Sequence, residues 1–181
     1  IAFASILMMS AARAQYAELG ASIGMSHYFG DLNADFNPTH PGGMAMLNYR
    51  KILNPFFAYR FDAMAGLSYY DSKWSSNPYW AYQNLNFNAT YGLITSMLEF
   101  NLFKFEVDKD KYETAFTPYV ATGAGIGYFI NQATYNGATY KLYEMRTEGS
   151  KYNQVFFCFP MEFGLKWRLA KAWTLAVHTT Y

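Results

Sequence analysis

From Phe57 to Tyr69 the side chains change character at every step. Odd positions read Phe57, Tyr59, Phe61, Ala63, Ala65, Leu67 and Tyr69, and even positions read Ala58, Arg60, Asp62, Met64, Gly66 and Ser68. A period of two is the signature of a strand, whose successive side chains point to opposite faces. Val155 to Leu169 repeats it. Val155, Phe157, Phe159, Met161, Phe163, Leu165, Trp167 and Leu169 share one face, and Cys158, Pro160, Glu162, Gly164, Lys166 and Arg168 the other. Pro160 is a blemish, because it lacks the N–H that a neighbouring strand would use. Segments 17–26, 45–50, 94–102, 120–128 and 173–178 alternate with less contrast. Seven strands are predicted, most with the roughly 9–11 residues that a tilted strand needs to cross a bilayer.

Composition removes the main competitors. Fourteen Lys+Arg against 13 Asp+Glu leave no basic footprint for nucleic acid. No run of ~18 apolar residues exists to make a spanning helix. Yet aromatics reach 20% and charged residues only 15%, where a soluble domain carries roughly 25% charged. A transmembrane β-barrel reconciles these facts, since its apolar residues fall at every second position.

The polar face decides which side is wet. A soluble lipocalin-like barrel alternates too, but its outside is crowded with Lys, Glu and Gln. Here the polar face is mostly Gly, Ser, Ala, Thr and Asn, which suits the narrow interior of an eight-stranded barrel. Its charges come in both signs: Glu18, Asp62, Glu99 and Glu162 with Arg50, Arg60, Lys166 and Arg168. A buried charge needs a partner, so these eight are expected to form a structural ion-pair network in the lumen. The aromatic face then meets lipid. Aromatics also gather where strands end, at Tyr16, Tyr28, Phe29, Tyr49, Phe56, Phe57, Tyr69, Tyr70, Phe103, Phe105, Tyr119, Phe129, Trp167 and Trp173. Interfacial girdles produce that placement.

Connection lengths alternate as well. Residues 52–55 and 170–172 make short turns, whereas 30–43 and 71–84 are long and polar, and a third long connection carries the hairpin signal Asn136-Gly137. Short turns on the periplasmic side and long loops outside are the outer-membrane pattern. The exception is 103–117, whose Lys104, Glu106, Asp108, Lys109, Asp110 and Lys111 form either a solvated turn or a docking site for a periplasmic partner. Bacterial barrels have even strand numbers, so an eighth strand is expected beyond Tyr181. Residues 1–14 read as the remnant of a secretory signal, with small residues Ala12 and Ala14 before a cut at Gln15. That leaves 15–181 as the barrel domain. Cys158 is the only cysteine, so neither an internal disulfide nor a Cys-based metal site is expected.

Catalytic chemistry finds little support. Ser26, His27 and Asp31 lie near one end of the first strand and His178 near the same end of the last, but a Ser–His–acid set must converge. Ser26 and His27 are neighbours in a strand and point apart. Asp31, Asn33 and Asp35 resemble the opening of a calcium loop, yet its sixth position is Phe36 and its twelfth Gly42. Gly123, Gly125 and Gly127 lack the spacing and the helix of a nucleotide fingerprint and read as a lumenal ridge. The expectation is a non-enzymatic barrel with no cofactor and no bound metal.

Several short motifs, taken in order, resemble a known family. Tyr16-Ala17-Glu18-Leu19-Gly20, Tyr28-Phe29-Gly30-Asp31-Leu32-Asn33, Leu98-Glu99-Phe100-Asn101, Phe116-Thr117-Pro118-Tyr119, Tyr140-Lys141-Leu142, Thr147-Glu148-Gly149 and Gly164-Leu165-Lys166-Trp167-Arg168-Leu169 with Trp173 are similar to the PorG-like outer-membrane proteins of Bacteroidetes. The resemblance implies an eight-stranded barrel of the type IX secretion system, located in the bacterial outer membrane. It further implies an anchor for periplasmic ring proteins of the PorK and PorN kind. The stretch Glu144-Met145-Arg146 departs from the family, where a more apolar, Pro-containing segment is expected. The alternative is a structural or adhesion barrel whose external loops contact a ligand.

Overall fold

The computed structural model describes residues 3–6, 17–27, 40–71, 86–105, 116–135, 138–143, 153–170 and 173–181. Their regular structure is all strand: β1 (Phe3–Ile6), β2 (Ala17–Ser26), β3 (Gly42–Ile52), β4 (Phe57–Asp71), β5 (Asn86–Asn101), β6 (Phe116–Tyr135), β7 (Ala138–Lys141), β8 (Val155–Cys158), β9 (Met161–Ala170) and β10 (Trp173–Thr180). Every pairing is antiparallel. β2 to β6 pair in chain order, β6 pairs with β8 and β9, and β9 pairs with β10. The short β1 lies between β10 and β2, so the hydrogen-bonded circuit closes. The architecture is an all-β, up-and-down antiparallel barrel.

The two faces of each strand differ as the alternation demands. Leu47 is 66% exposed and Ile94 62%, whereas Arg60 is 1% and Glu99 0% exposed. Aromatic and aliphatic side chains point out; small and charged ones point in. Rings frame the outer surface near both strand ends, with Tyr49, Phe57, Phe103 and Trp173 exposed at the short-turn end and Tyr69, Tyr128 and Phe157 at the other. The predicted girdle needs correcting at four positions. Tyr70, Tyr119 and Phe105 are buried, and Phe129 faces the lumen; Tyr70 on β4, and Tyr119 and Phe129 on β6, share the parity of the inward residues. Tyr16, Tyr28 and Phe29 lie outside the described residues.

Inside, glycines and rings are matched in register. Gly66 pairs with Tyr91, Gly127 with Phe156 and Gly164 with Tyr119. A Cβ on Gly66 would sit 2.5 Å from the Tyr91 hydroxyl, and one on Gly164 2.5 Å from the Tyr119 ring. The missing side chain is therefore the space the ring occupies, a cross-strand covering of glycine that also fixes register. At the β3–β4 turn, the Asn54 side-chain oxygen accepts the N–H groups of Phe56 and Phe57 at 2.9 and 2.8 Å. That is the local bonding which makes Asn a turn former.

Four elements depart from the strand expectations. The run Val155 to Leu169 is two strands, β8 and β9, broken at Phe159-Pro160. Proline has no N–H for the ladder, although its carbonyl still accepts from the Gly123 N–H at 3.3 Å and the Thr122 hydroxyl at 3.2 Å. β5 starts at Asn86 rather than near Ile94, because in its first half the apolar residues Phe87, Tyr91 and Leu93 face inward and blur the contrast. β6 runs 20 residues and its end pairs with β7, Tyr135 opposite Ala138; the predicted hairpin signal Asn136-Gly137 lies outside the described residues. Finally, Phe3–Ile6, read from sequence as part of an export signal, pairs with β10 and β2. An open sheet edge accepts any extended segment within reach, and β1 takes the place between the first and last long strands. Ala12, Ala14 and Gln15 lie outside the described residues.

Candidate functional site

The lumen divides along its length, and its short-turn half holds the charges. Alternation places Glu18 at the start of β2, Arg50 near the end of β3, Arg60 and Asp62 early in β4, Glu99 late in β5, and Glu162 and Lys166 on β9. All seven are buried. Each comes from the inward parity of its own strand, and antiparallel pairing brings them to one level. Glu18 stands directly opposite Arg50 in the β2–β3 register, and Asn48 opposite Asp62 in β3–β4.

Two arginines organise the cluster. Arg60 donates from Nη1 and Nη2 to the two carboxylate oxygens of Glu162, at 2.7 and 2.6 Å. Its Nε lies 2.8 Å from Asp62 on the same face of β4, and its Nη1 3.6 Å from Glu99. Arg50 donates to Glu18 at 2.6 Å and to Glu99 at 3.2 Å. Lys166 completes the surroundings of Glu99 by an ion pair and donates to the Asn101 side-chain oxygen at 2.9 Å. Glu99 thus sits among three cations. A planar guanidinium bound through two nitrogens fixes distance and direction together, so the Arg60–Glu162 fork ties β4 to β9 across the lumen.

Neutral groups finish the network. The Tyr119 hydroxyl donates to Glu162 at 2.7 Å, and its ring lies beneath Lys166, with 4.0 Å between Nζ and the centroid. Such a cation over a ring is attracted by the ring's quadrupole. Thr180 donates to Glu162 and Thr95 to Asp62, at 3.2 and 3.3 Å. His178 Nε2 is 3.9 Å from Glu162. Arg168, the eighth predicted member, is half-buried nearer the mouth, where its guanidinium stacks 4.8 Å from the Phe105 centroid. Phe105 is itself held across the opening by its N–H to the Pro55 carbonyl at 3.0 Å.

Alternation put the eight charges on the lumenal face, and Thr95, Asn101 and His178 with them, but it did not point to Tyr119, Phe105 or Thr180. The parity of β6 and β10 would have found Tyr119 and Thr180, had rings and strand-end hydroxyls been counted with the lumenal set. Of the residues weighed for catalysis, Ser26 is buried and donates to the Leu67 carbonyl at 2.5 Å, far along the barrel from the charge cluster. Asp31, Asn33 and Asp35 lie outside the described residues. So do Glu106, Asp108, Lys109, Asp110 and Lys111, while Lys104 is exposed at the short-turn end. Chemically the cluster is a set of buried ion pairs: Glu18, Asp62, Glu99 and Glu162 each meet at least one cation, while the second oxygen of Glu18 has no hydrogen-bond partner among the described residues.

A family model described as a domain of unknown function matches residues 1–181. The chain belongs to that family, DUF6089. No curated protein matches it. Among solved structures, this family member is similar to Ail, the attachment invasion locus protein of Yersinia pestis, crystallised with the heparin analogue sucrose octasulfate. Identity is 12%, coverage is 99% of this chain and 97% of that one, and the TM-score is 0.39. The barrel assignment rests on the closed strand register of this chain.

Proposed function

We propose that this protein is a non-enzymatic barrel of the bacterial outer membrane that engages a periplasmic partner through its short-turn end. The observation that carries the reading is the inversion of its two faces: exposed Leu, Ile and Phe outside, buried Arg–Glu pairs inside. In water that arrangement would expose a large apolar surface, far beyond the few hundred Å² usual on a soluble protein. In a bilayer every exposed ring meets hydrocarbon or the headgroup layer. The pairing of Glu18, Asp62, Glu99 and Glu162 with cations supports a structural role over acid–base chemistry, and the buried side chains that meet across the lumen speak against a pore.

The finer reading is an anchor for the PorK- and PorN-like ring of type IX secretion. It is supported by the motifs shared with PorG-like proteins and by the connection that follows β5. That connection starts from an exposed Lys104 and a Phe105 tied to the barrel mouth, so it leaves the barrel from a fixed point. Pull-down from detergent extracts should recover periplasmic ring proteins. Exchanging residues 104–111 for Gly/Ser should reduce that recovery while the barrel keeps its folded mobility on unheated gels. Intact protein secretion after deletion of the gene would end the secretion reading and leave the membrane placement standing.

One observation favours the adhesion alternative. β6 keeps a partner as far as Tyr135, where it pairs with β7, so a paired hairpin is presented at the long-loop end, where an external contact would be made. Surface binding lost on trimming residues 132–141, with secretion unchanged, would select it.

A further inference from the structure

The long-loop half of the lumen is built on the opposite principle from the charged half. It holds an open cavity of about 860 Å³, within the roughly 300–1,000 Å³ typical of sites for one small ligand. Its walls are Met64 on β4, Phe87, Tyr91 and Leu93 on β5, Phe129 on β6 and Phe156 on β8. No Asp, Glu, Lys or Arg occurs among the described residues that line it. A water needs two to four polar partners to settle in a cavity, and these walls offer few. An apolar space of this size left empty forfeits the contacts of every side chain that lines it.

The shape narrows the choice of occupant. From Leu93 to Phe87 the wall follows β5 for six residues, roughly 20 Å of strand at ~3.3 Å per residue. At the usual tilt of about 35–45° that is some ~15 Å of axis. The cavity is therefore elongated along the barrel. Polar side chains appear toward the long-loop end, at His27 and Asn131, and the charged cluster lies at the other. A long apolar body with one polar end fits such walls; a sugar, nucleotide or peptide, carrying hydrogen-bonding groups along its length, does not.

We infer that the long-loop half of the lumen binds a linear acyl chain, its polar end toward the long loops. The chain comes either from a free fatty acid or from a membrane lipid; the apolar part is common to both. The inference goes beyond the membrane placement and does not depend on any periplasmic partner.

Cys158 lines the same cavity and is the only cysteine of the chain, so it reports occupancy. The full chain, held in amphipol free of detergent, is titrated with palmitate or with palmitoyl-lysophosphatidylcholine while alkylation of Cys158 by a small uncharged maleimide is timed. Radiolabelled palmitate gives the stoichiometry. Saturable protection near one chain per barrel is expected. Protection by palmitate alone assigns a free acid, by the lysolipid alone a lipid, and by both a site that reads only the chain. Leu93→Trp, or Ala89→Phe if that variant does not fold, fills the space and should weaken binding at least ~10-fold, the loss of one decade in Kd. Absence of saturable protection by either probe, or equal protection in the filled variants, overturns the inference.

Discussion

The two halves of one lumen, built on the same strands, solve the problem of a barrel interior in opposite ways. In the short-turn half, Arg50, Arg60 and Lys166 meet Glu18, Asp62, Glu99 and Glu162. In the long-loop half, glycines lie under rings, methionines cluster, and a cavity remains. The difference teaches what each half is for. Ion pairs at bidentate geometry hold strands that are far apart in sequence, such as β4 and β9, and they close the passage. Buried ion pairs are seldom a net gain over apolar packing, so the charged half is better explained by specifying register and closure than by raising stability. The apolar half can leave room, because dispersion contacts tolerate an exchange of one apolar neighbour for another.

The largest expected effect comes from breaking the charged half from within. Arg60→Met strips Glu162 of its bidentate partner and Asp62 of its nearest cation. It should lower unfolding stability by about 3–5 kcal/mol, the loss typical of a buried pair robbed of one partner. The readout is urea unfolding in liposomes. The double change Arg60→Met with Glu162→Met should cost less than the single one, since Asp62 alone, rather than Asp62 and Glu162 together, is then left without its cation. If single and double variants unfold alike, the cluster is not a coupled unit and the contrast between the halves weakens.

A charge on the outer face comes next. Ile94→Arg, near the middle of β5, should cost about 2–4 kcal/mol in the same assay, against roughly 0–1 for Leu53→Arg at the turn, as expected for depth in a bilayer. Equal, small costs at both positions would remove the bilayer from the account. The smallest effect belongs to the apolar half. Gly127→Leu drives a side chain into the Phe156 ring and should cost about 1–3 kcal/mol by overpacking. The nearby cavity can absorb part of the displaced ring, so a cost near the upper end would show the Phe156 ring and its glycine to be as rigid as the charged half.

Legibility in the sequence followed contrast. On β4 and β9 an outward aromatic alternates with an inward charge or glycine, so strand, face and lumenal charges could all be read from the sequence at once. On the first half of β5 the alternation is inverted: Asn88 and Thr90 face outward, with Phe87, Ala89, Tyr91 and Leu93 inward. Its sign opposes that of the second half of the strand, so apolar-out, polar-in alternation revealed neither the strand extension nor the apolar cavity. Tyr119 was misplaced in a girdle for a related reason: a ring fits an interface or a lumen equally well, and only its parity on β6 distinguishes them. The membership in DUF6089 came from the whole chain, not from any one motif.

The sequence by itself determined the period of two, the absence of a helical span, and the parity that sends charge and lipid-loving rings to opposite faces. Those properties are local, set by side chains one or two residues apart. The tertiary structure alone decided that Arg60 reaches Glu162 as well as the nearby Asp62, that β1 closes the circuit between β10 and β2, and that one half of the lumen is crossed by ion pairs while the other holds a cavity. These depend on register and barrel closure, which set the distance between residues a hundred or more positions apart and are fixed only when all strands pair together.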